Sequence, residues 1–156
     1  MKFKIFLFTI IFLFNKVVAQ QSILGLWQEN SPEVSDSYYN TYEFKTDGTF
    51  KFNTNGYFGL GRVTTIGGKY KLLNKQIQIS VEYTVELVGG KITRSEFAGT
   101  ATHRWVIEGG QLKKTILSAP IKSVINFEFS TTPNSEEAKT QLLLLDKGKF
   151  YKILQE

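Results

Sequence analysis

The chain has 156 residues, 14% of them aromatic, no cysteine and a formal net charge of +5. This length suits a single domain, and the lack of cysteine excludes both a disulfide framework and lipid attachment through an N-terminal thiol. Lys2, Lys4 and Lys16 fall within an N-terminal leader, so 16 basic against 14 acidic residues remain after it and the net charge drops to +2. No block of lysines or arginines then survives to neutralise a row of phosphates, and no nucleic-acid partner is expected.

The leader is read from Lys2 and Lys4, the apolar run Ile5 to Phe14 broken only by Thr9, and the small-residue end Val17-Val18-Ala19. These are the parts of a secretory signal peptide, residues 1–19, cut before Gln20. The apolar run is short against the roughly 20 residues that a spanning helix needs, so no stable membrane insertion is expected after cleavage. Residues 20–156 are expected as one domain, secreted or periplasmic, and monomeric.

The mature part opens with Ile23 to Gln28, a short apolar stretch carrying Gly25 two residues before Trp27. A polar, turn-rich stretch from Glu29 to Asn40 follows, and then strands over 41–46 and 49–54 flank the tight turn Asp47-Gly48. The segment Gly56 to Arg62 superficially looks like a phosphate-binding loop but lacks the Lys-Ser/Thr pair and the helix behind it. Its Tyr57, Phe58 and Leu60 form instead an entrance loop or cap at one end of the fold.

Strands are expected over 61–66 and 69–73 around Gly67-Gly68, and the longest over 76–87. There Ile77, Ile79, Val81, Tyr83, Val85 and Leu87 alternate with polar residues. A period of two places one face on a core and the other in water. Further strands are expected at 91–98, 100–108, 111–118, 121–129, 140–145 and 149–154, with neighbouring pairs able to fuse across Gly99 or Ala119-Pro120. Gly67-Gly68, Gly89-Gly90, Gly109-Gly110 and Lys147-Gly148 read as hairpin turns, because glycine supplies the positive φ that such turns require. A turn of helix or an irregular loop is expected over 133–140.

Many short strands joined by tight turns must close on themselves or stack, and short connections favour closure. The expected fold is therefore all-β: an antiparallel up-and-down β-barrel of eight to ten strands. Gly25-x-Trp27 on the first strand, a long polar loop and a meander of hairpins resemble the bacterial lipocalin-like proteins of the calycin group. In that group the first-strand tryptophan packs across the closed end of the barrel, and the preceding glycine marks a sharp bend. The resemblance implies these structural roles for Gly25 and Trp27. It also implies a late basic residue over the indole, and since the arginines are only Arg62, Arg94 and Arg104, Lys149 or Lys152 would stand in.

On this reading the barrel interior binds a small hydrophobic molecule without transforming it. The ligand-binding residues are expected to be Tyr42, Phe44, Tyr83, His103, Trp105 and Phe127, with Tyr83 and His103 as polar handles among apolar rings. The alternative is a non-catalytic protein- or glycan-interaction module whose barrel core is filled. One histidine and no cysteine leave no metal set, and no spacing marks a nucleophile, base and acid that would converge. No enzyme, cofactor or metal is expected. Arg94 and Glu96 share one parity, facing either inward as a pair or outward.

Overall fold

The computed structural model describes residues 22–30, 39–55, 59–95, 105–130, 141–146 and 148–153. They form ten strands: β1 (Gly25–Glu29), β2 (Thr41–Phe44), β3 (Thr49–Asn53), β4 (Val63–Leu73), β5 (Gln76–Val88), β6 (Lys91–Arg94), β7 (Trp105–Glu108), β8 (Gln111–Ser130), β9 (Leu142–Leu145) and β10 (Gly148–Ile153). The expected leader at 1–19, Tyr57, Phe58, Glu96, His103 and the helix or loop at 133–140 lie outside the described residues, as does Lys147.

Aromatic and β-branched residues at alternate positions drive these strands, because such side chains pack well on a pleated surface with one buried side. Trp27, Phe44, Phe50, Ile77, Ile79, Leu143, Leu145 and Phe150 are the buried centre, with Ile23 packed among them. Around it stand Tyr42, Phe52, Tyr70, Val81, Ile125, Phe127 and Phe129. The rings touch one another: Tyr42 lies 4.7 Å from Phe52 and 5.3 Å from Phe150 between centroids, and Phe44 lies 5.1 Å from Tyr70.

The strands hydrogen-bond in the cyclic order β1, β10, β9, β8, β5, β4, β3, β2, with β2 returning to β1. This ring of ladders is not the up-and-down barrel expected, and that expectation is corrected here. β1, β2, β3, β9 and β10 are only 4 to 6 residues long, whereas β4, β5 and β8 run to 11, 13 and 20. β9 covers only Phe127 to Ser130 of β8, so the rest of β8 runs past the ring as an arm with the end of β5 beside it, and β5 pairs with β8 rather than with its successor β6. The result is a cyclically paired sheet that is not barrel-shaped. Its inner side is occupied by aromatic rings in mutual contact.

Three pairs of glycines behave differently from the hairpin turns expected of them. Gly67-Gly68 lies inside β4, where a Cβ on Gly67 would overlap the ring of Tyr83. Gly89-Gly90 and Gly109-Gly110 face each other across one continuous ladder. Val88 pairs with Gln111 and Lys91 pairs with Glu108, so the register carries straight through the glycines. β5 to β8 is thus one long hairpin, bent at a four-glycine crease in which every φ lies between +72° and +93°. Beyond the crease, β6 and β7 are held down by Ile107 N donating to Gly59 O at 3.1 Å, while Arg62 Nη1 donates to the carbonyls of Leu87 and Gly89. Asp47-Gly48 is the tight turn expected, its Asp47 carboxylate accepting from Thr49 N and Oγ1.

The alternation of β5 also changes hands. Gly68 pairs with Val81 but Gly67 pairs with Tyr83, so Glu82 is an extra residue in β5. A bulge of this kind turns the following side chains to the other face. Val81 keeps the side of the core, while Tyr83, Val85 and Leu87 emerge on the outside. At the same level β8 makes its own excursion, because Val81 pairs with Ile121 and Tyr83 with Ile116.

Candidate interaction surface

Paired residues share a face, which fixes the outer surface of the arm. Tyr83 opposes Ile116, Val85 opposes Lys114 and Leu87 opposes Leu112. The outer face is therefore an apolar strip of Tyr83, Val85, Leu87, Leu112 and Ile116, interrupted by Lys114. Leu112 and Ile116 are 66% and 67% exposed. Lys114 Nζ sits 3.9 Å from the centroid of the Tyr83 ring, a cation–π contact that pins both side chains to this face. The reverse face carries Thr84, Glu86, Lys113 and Thr115 and is polar.

Below the bulge the outer face becomes basic. A groove of about 470 Å³ there is bordered by Lys69, Lys71, Lys122, Gln78, Ser80 and Val124. Lys69 is paired with Glu82 at 3.4 Å. Along β8 itself, Lys113, Lys114 and Lys122 occur without an acidic residue between Gln111 and Phe127.

Among the described residues, the far edge of β8 is engaged only at its C-terminal end. β9 covers Phe127 to Ser130, and Asn126 exchanges bonds with Asp146 of the β9–β10 turn. Among the described residues, no strand pairs with that edge from Gln111 to Ile125. The direction of the backbone groups follows from the neighbouring bonds. Leu87 N donates to Arg62 O, on the β4 side, so Leu112, Lys114 and Ile116 turn their N–H and C=O groups away from β5. Phe127 N donates to Lys75 O, which by alternation turns Lys122 and Val124 toward the same open edge.

The described residues among the expected ligand-binding set are brought together only in part. Tyr42, Phe44 and Phe127 belong to the packed interior. Burial, aided by the negative charges of Asp146 and Glu29, pushes the Tyr42 hydroxyl up to about 12. Tyr83 stands outside, over Gly67. Trp105 is on β7, outside the ring, paired with Arg94 and 48% exposed. Arg94 is exposed, and Leu60, 53% exposed, follows the Gly59 carbonyl that β7 uses. Gly25 and Trp27 are the first-strand bend and the buried indole. Gly25 has φ +112°, and Lys152 Nζ lies 5.5 Å from the Trp27 ring. Among the described residues, no group of three His, Asp or Glu side chains is placed to hold a metal ion.

Comparison with protein-family models, with curated proteins and with solved structures finds no match. The lipocalin-like resemblance is corrected accordingly. It rested on Gly25-x-Trp27, the polar loop after it and the meander of hairpins; the Gly25–Trp27 spacing has a local cause in this chain, and the sheet does not form the calyx that the resemblance implies. The expectation of a small hydrophobic ligand inside a barrel falls with it, since there is no barrel-shaped interior to hold one.

Leu112, Ile116 and Val124 were not singled out from the sequence. A signal was present: in Gln111 to Leu117 both parities hold a lysine, so neither side of that strand reads as a clean core face.

Proposed function

We propose that the chain is an exported, non-catalytic module that binds another protein through the outer face of the β5–β8 arm. The observation that carries this reading is the exposure of Leu112 and Ile116 beside Val85 and Leu87 on a strip that the fold does not use for its own core. Contiguous exposed aliphatic surface is costly in water and marks contact sites. A protein partner suits it better than a glycan, because the strip offers aliphatic area and lysine rather than a platform of aromatic rings with paired acceptors.

The test is site-specific photo-crosslinking in the cell envelope or secreted fraction of the producing cell. A photoreactive residue at Ile116 is expected to give one dominant adduct with another protein, whereas the same group at Lys149, exposed on β10 and level with Glu128 at the opposite end of β8, is expected to give none. Equal, diffuse labelling from both positions would remove this reading.

A further inference from the structure

The apolar strip explains why a partner would stay; the edge beside it shows how a partner would align. A β-strand whose N–H and C=O groups face open solvent is a template for one more strand, and main-chain bonds then supply affinity while alternate side chains supply selectivity. In β8 the five residues that turn these groups outward are Leu112, Lys114, Ile116, Lys122 and Val124, and all five also present their side chains on the outer face. The excursion at 117–120 contains Pro120, which has no N–H to offer, so the edge is divided into two short templates. The first, Leu112 to Ile116, reads apolar, basic, apolar along its outer side.

We infer that the Leu112–Ile116 edge of β8 accepts an extended acidic segment of another protein as an added strand, with the pattern apolar-x-Asp/Glu-x-apolar set against Leu112, Lys114 and Ile116. This rests on the reading of the arm as a protein-binding surface and specifies its partner. Charge complementarity selects the occupant. Lys114 and Lys122 give the outer side of this edge a single sign, so a carboxylate opposite Lys114 forms a favourable cross-strand pair. A second copy of the chain is disfavoured for the same reason. A two-fold axis at Ser118 would set Lys114 opposite Lys122 of the second copy, and an axis at Lys114 would set that lysine opposite its own equivalent.

The experiment uses the exported chain, residues 20–156, and a fluorescein-labelled heptapeptide, Thr-Val-Thr-Glu-Thr-Val-Thr, followed by fluorescence anisotropy and by amide hydrogen exchange. Saturable binding is expected, with slowed exchange at Leu112, Lys114 and Ile116. The K114E variant should bind several-fold to about tenfold more weakly, since one favourable cross-strand pair is replaced by repulsion. A peptide with lysine in place of glutamate should bind K114E better than it binds the parent chain. Methylating the peptide nitrogens that face the edge should abolish binding.

Three outcomes would overturn the inference: no saturable binding, N-methylated peptide binding as well as the parent peptide, or a dimer of the chain alone that protects the same three amides. Crosslinking at Ile116 separates this failure from that of the wider reading. A retained adduct with insensitivity to N-methylation removes the added strand and leaves a face-on contact, whereas loss of the adduct removes the interaction surface itself.

Discussion

The indole nitrogen of Trp27 donates to the carbonyl of Ile23 at 2.6 Å, and both residues are buried. The bond spans four residues and is made inside the turn of chain that Gly25 creates with its φ of +112°. An extended strand would carry the Ile23 carbonyl away from the indole. Gly25 therefore precedes Trp27 because the bend satisfies two buried polar groups at once. It needs no ligand and no calyx to explain it.

Two substitutions probe this bend. Trp27→Ala should cost about 3–5 kcal/mol, the usual range for emptying a buried aromatic site. Gly25→Ala should cost about 1–3 kcal/mol, because alanine resists this φ and its Cβ would touch Lys152 Cε at 3.4 Å. Urea unfolding of the two variants measures both, and a Gly25→Ala chain as stable as the parent would deny the bend its role.

The Tyr83 ring over Gly67 predicts a coupling. Gly67→Ala should destabilise by about 1–3 kcal/mol, since the ring must leave its place. In a Tyr83→Ala background the same change should cost much less, giving an interaction energy of about 0.5–3 kcal/mol in the double-mutant cycle. Additive costs would show that Tyr83 does not rest there.

At the glycine crease, Gly90→Ala should free β6 and β7 while leaving the ring intact. Gly90 has φ +78°, and an added Cβ would lie 2.6 Å from Ile107 Cγ2. Amide exchange should accelerate at Ile107, whose N–H holds the hairpin to Gly59, and stay unchanged at Phe44 and Leu143. Gly109→Ala, with φ +72° and nothing within 4 Å, should show the milder effect of strain alone.

Tyr42 gives a pH dependence with a definite sign. Its folded-state pKa is raised from 10.0 to about 12, so the unfolded chain loses this proton first as pH rises. The contribution is present in full below pH 10 and is lost between pH 10 and about 12, amounting to about 2–3 kcal/mol at 1.36 kcal/mol per pKa unit. Alkaline unfolding of the Tyr42→Phe chain should be less steep across that window than that of the parent, and coincident curves would contradict this.

The arm strip should be dispensable for folding. Leu112→Thr with Ile116→Thr is expected to change stability by no more than about 0.5 kcal/mol per site, as for other surface positions, while raising solubility. A fall of the melting temperature by many degrees would instead mean that the strip packs against the chain itself.

Alternation in the sequence determined where the strands lie. Apart from β4, which runs on through Gly67-Gly68 where a turn was expected, the described strands lie along expected ones, and Trp27, Tyr42, Phe44, Phe50, Phe52, Tyr70, Phe127 and Phe129 face the core as their parity requires. The Asp47-Gly48 turn was equally legible, because its Asp–Thr bonding is local. Tertiary structure alone decided the rest. Whether Tyr83 points in or out depends on the extra residue at Glu82, and that bulge exists only through pairing with β4 and β8. Whether a double glycine is a turn, a crease or a landing place for a ring depends on which strand lies across from it. Parity is written in neighbouring residues, but register, closure and an open edge are relations between segments tens of residues apart, and no local pattern encodes them.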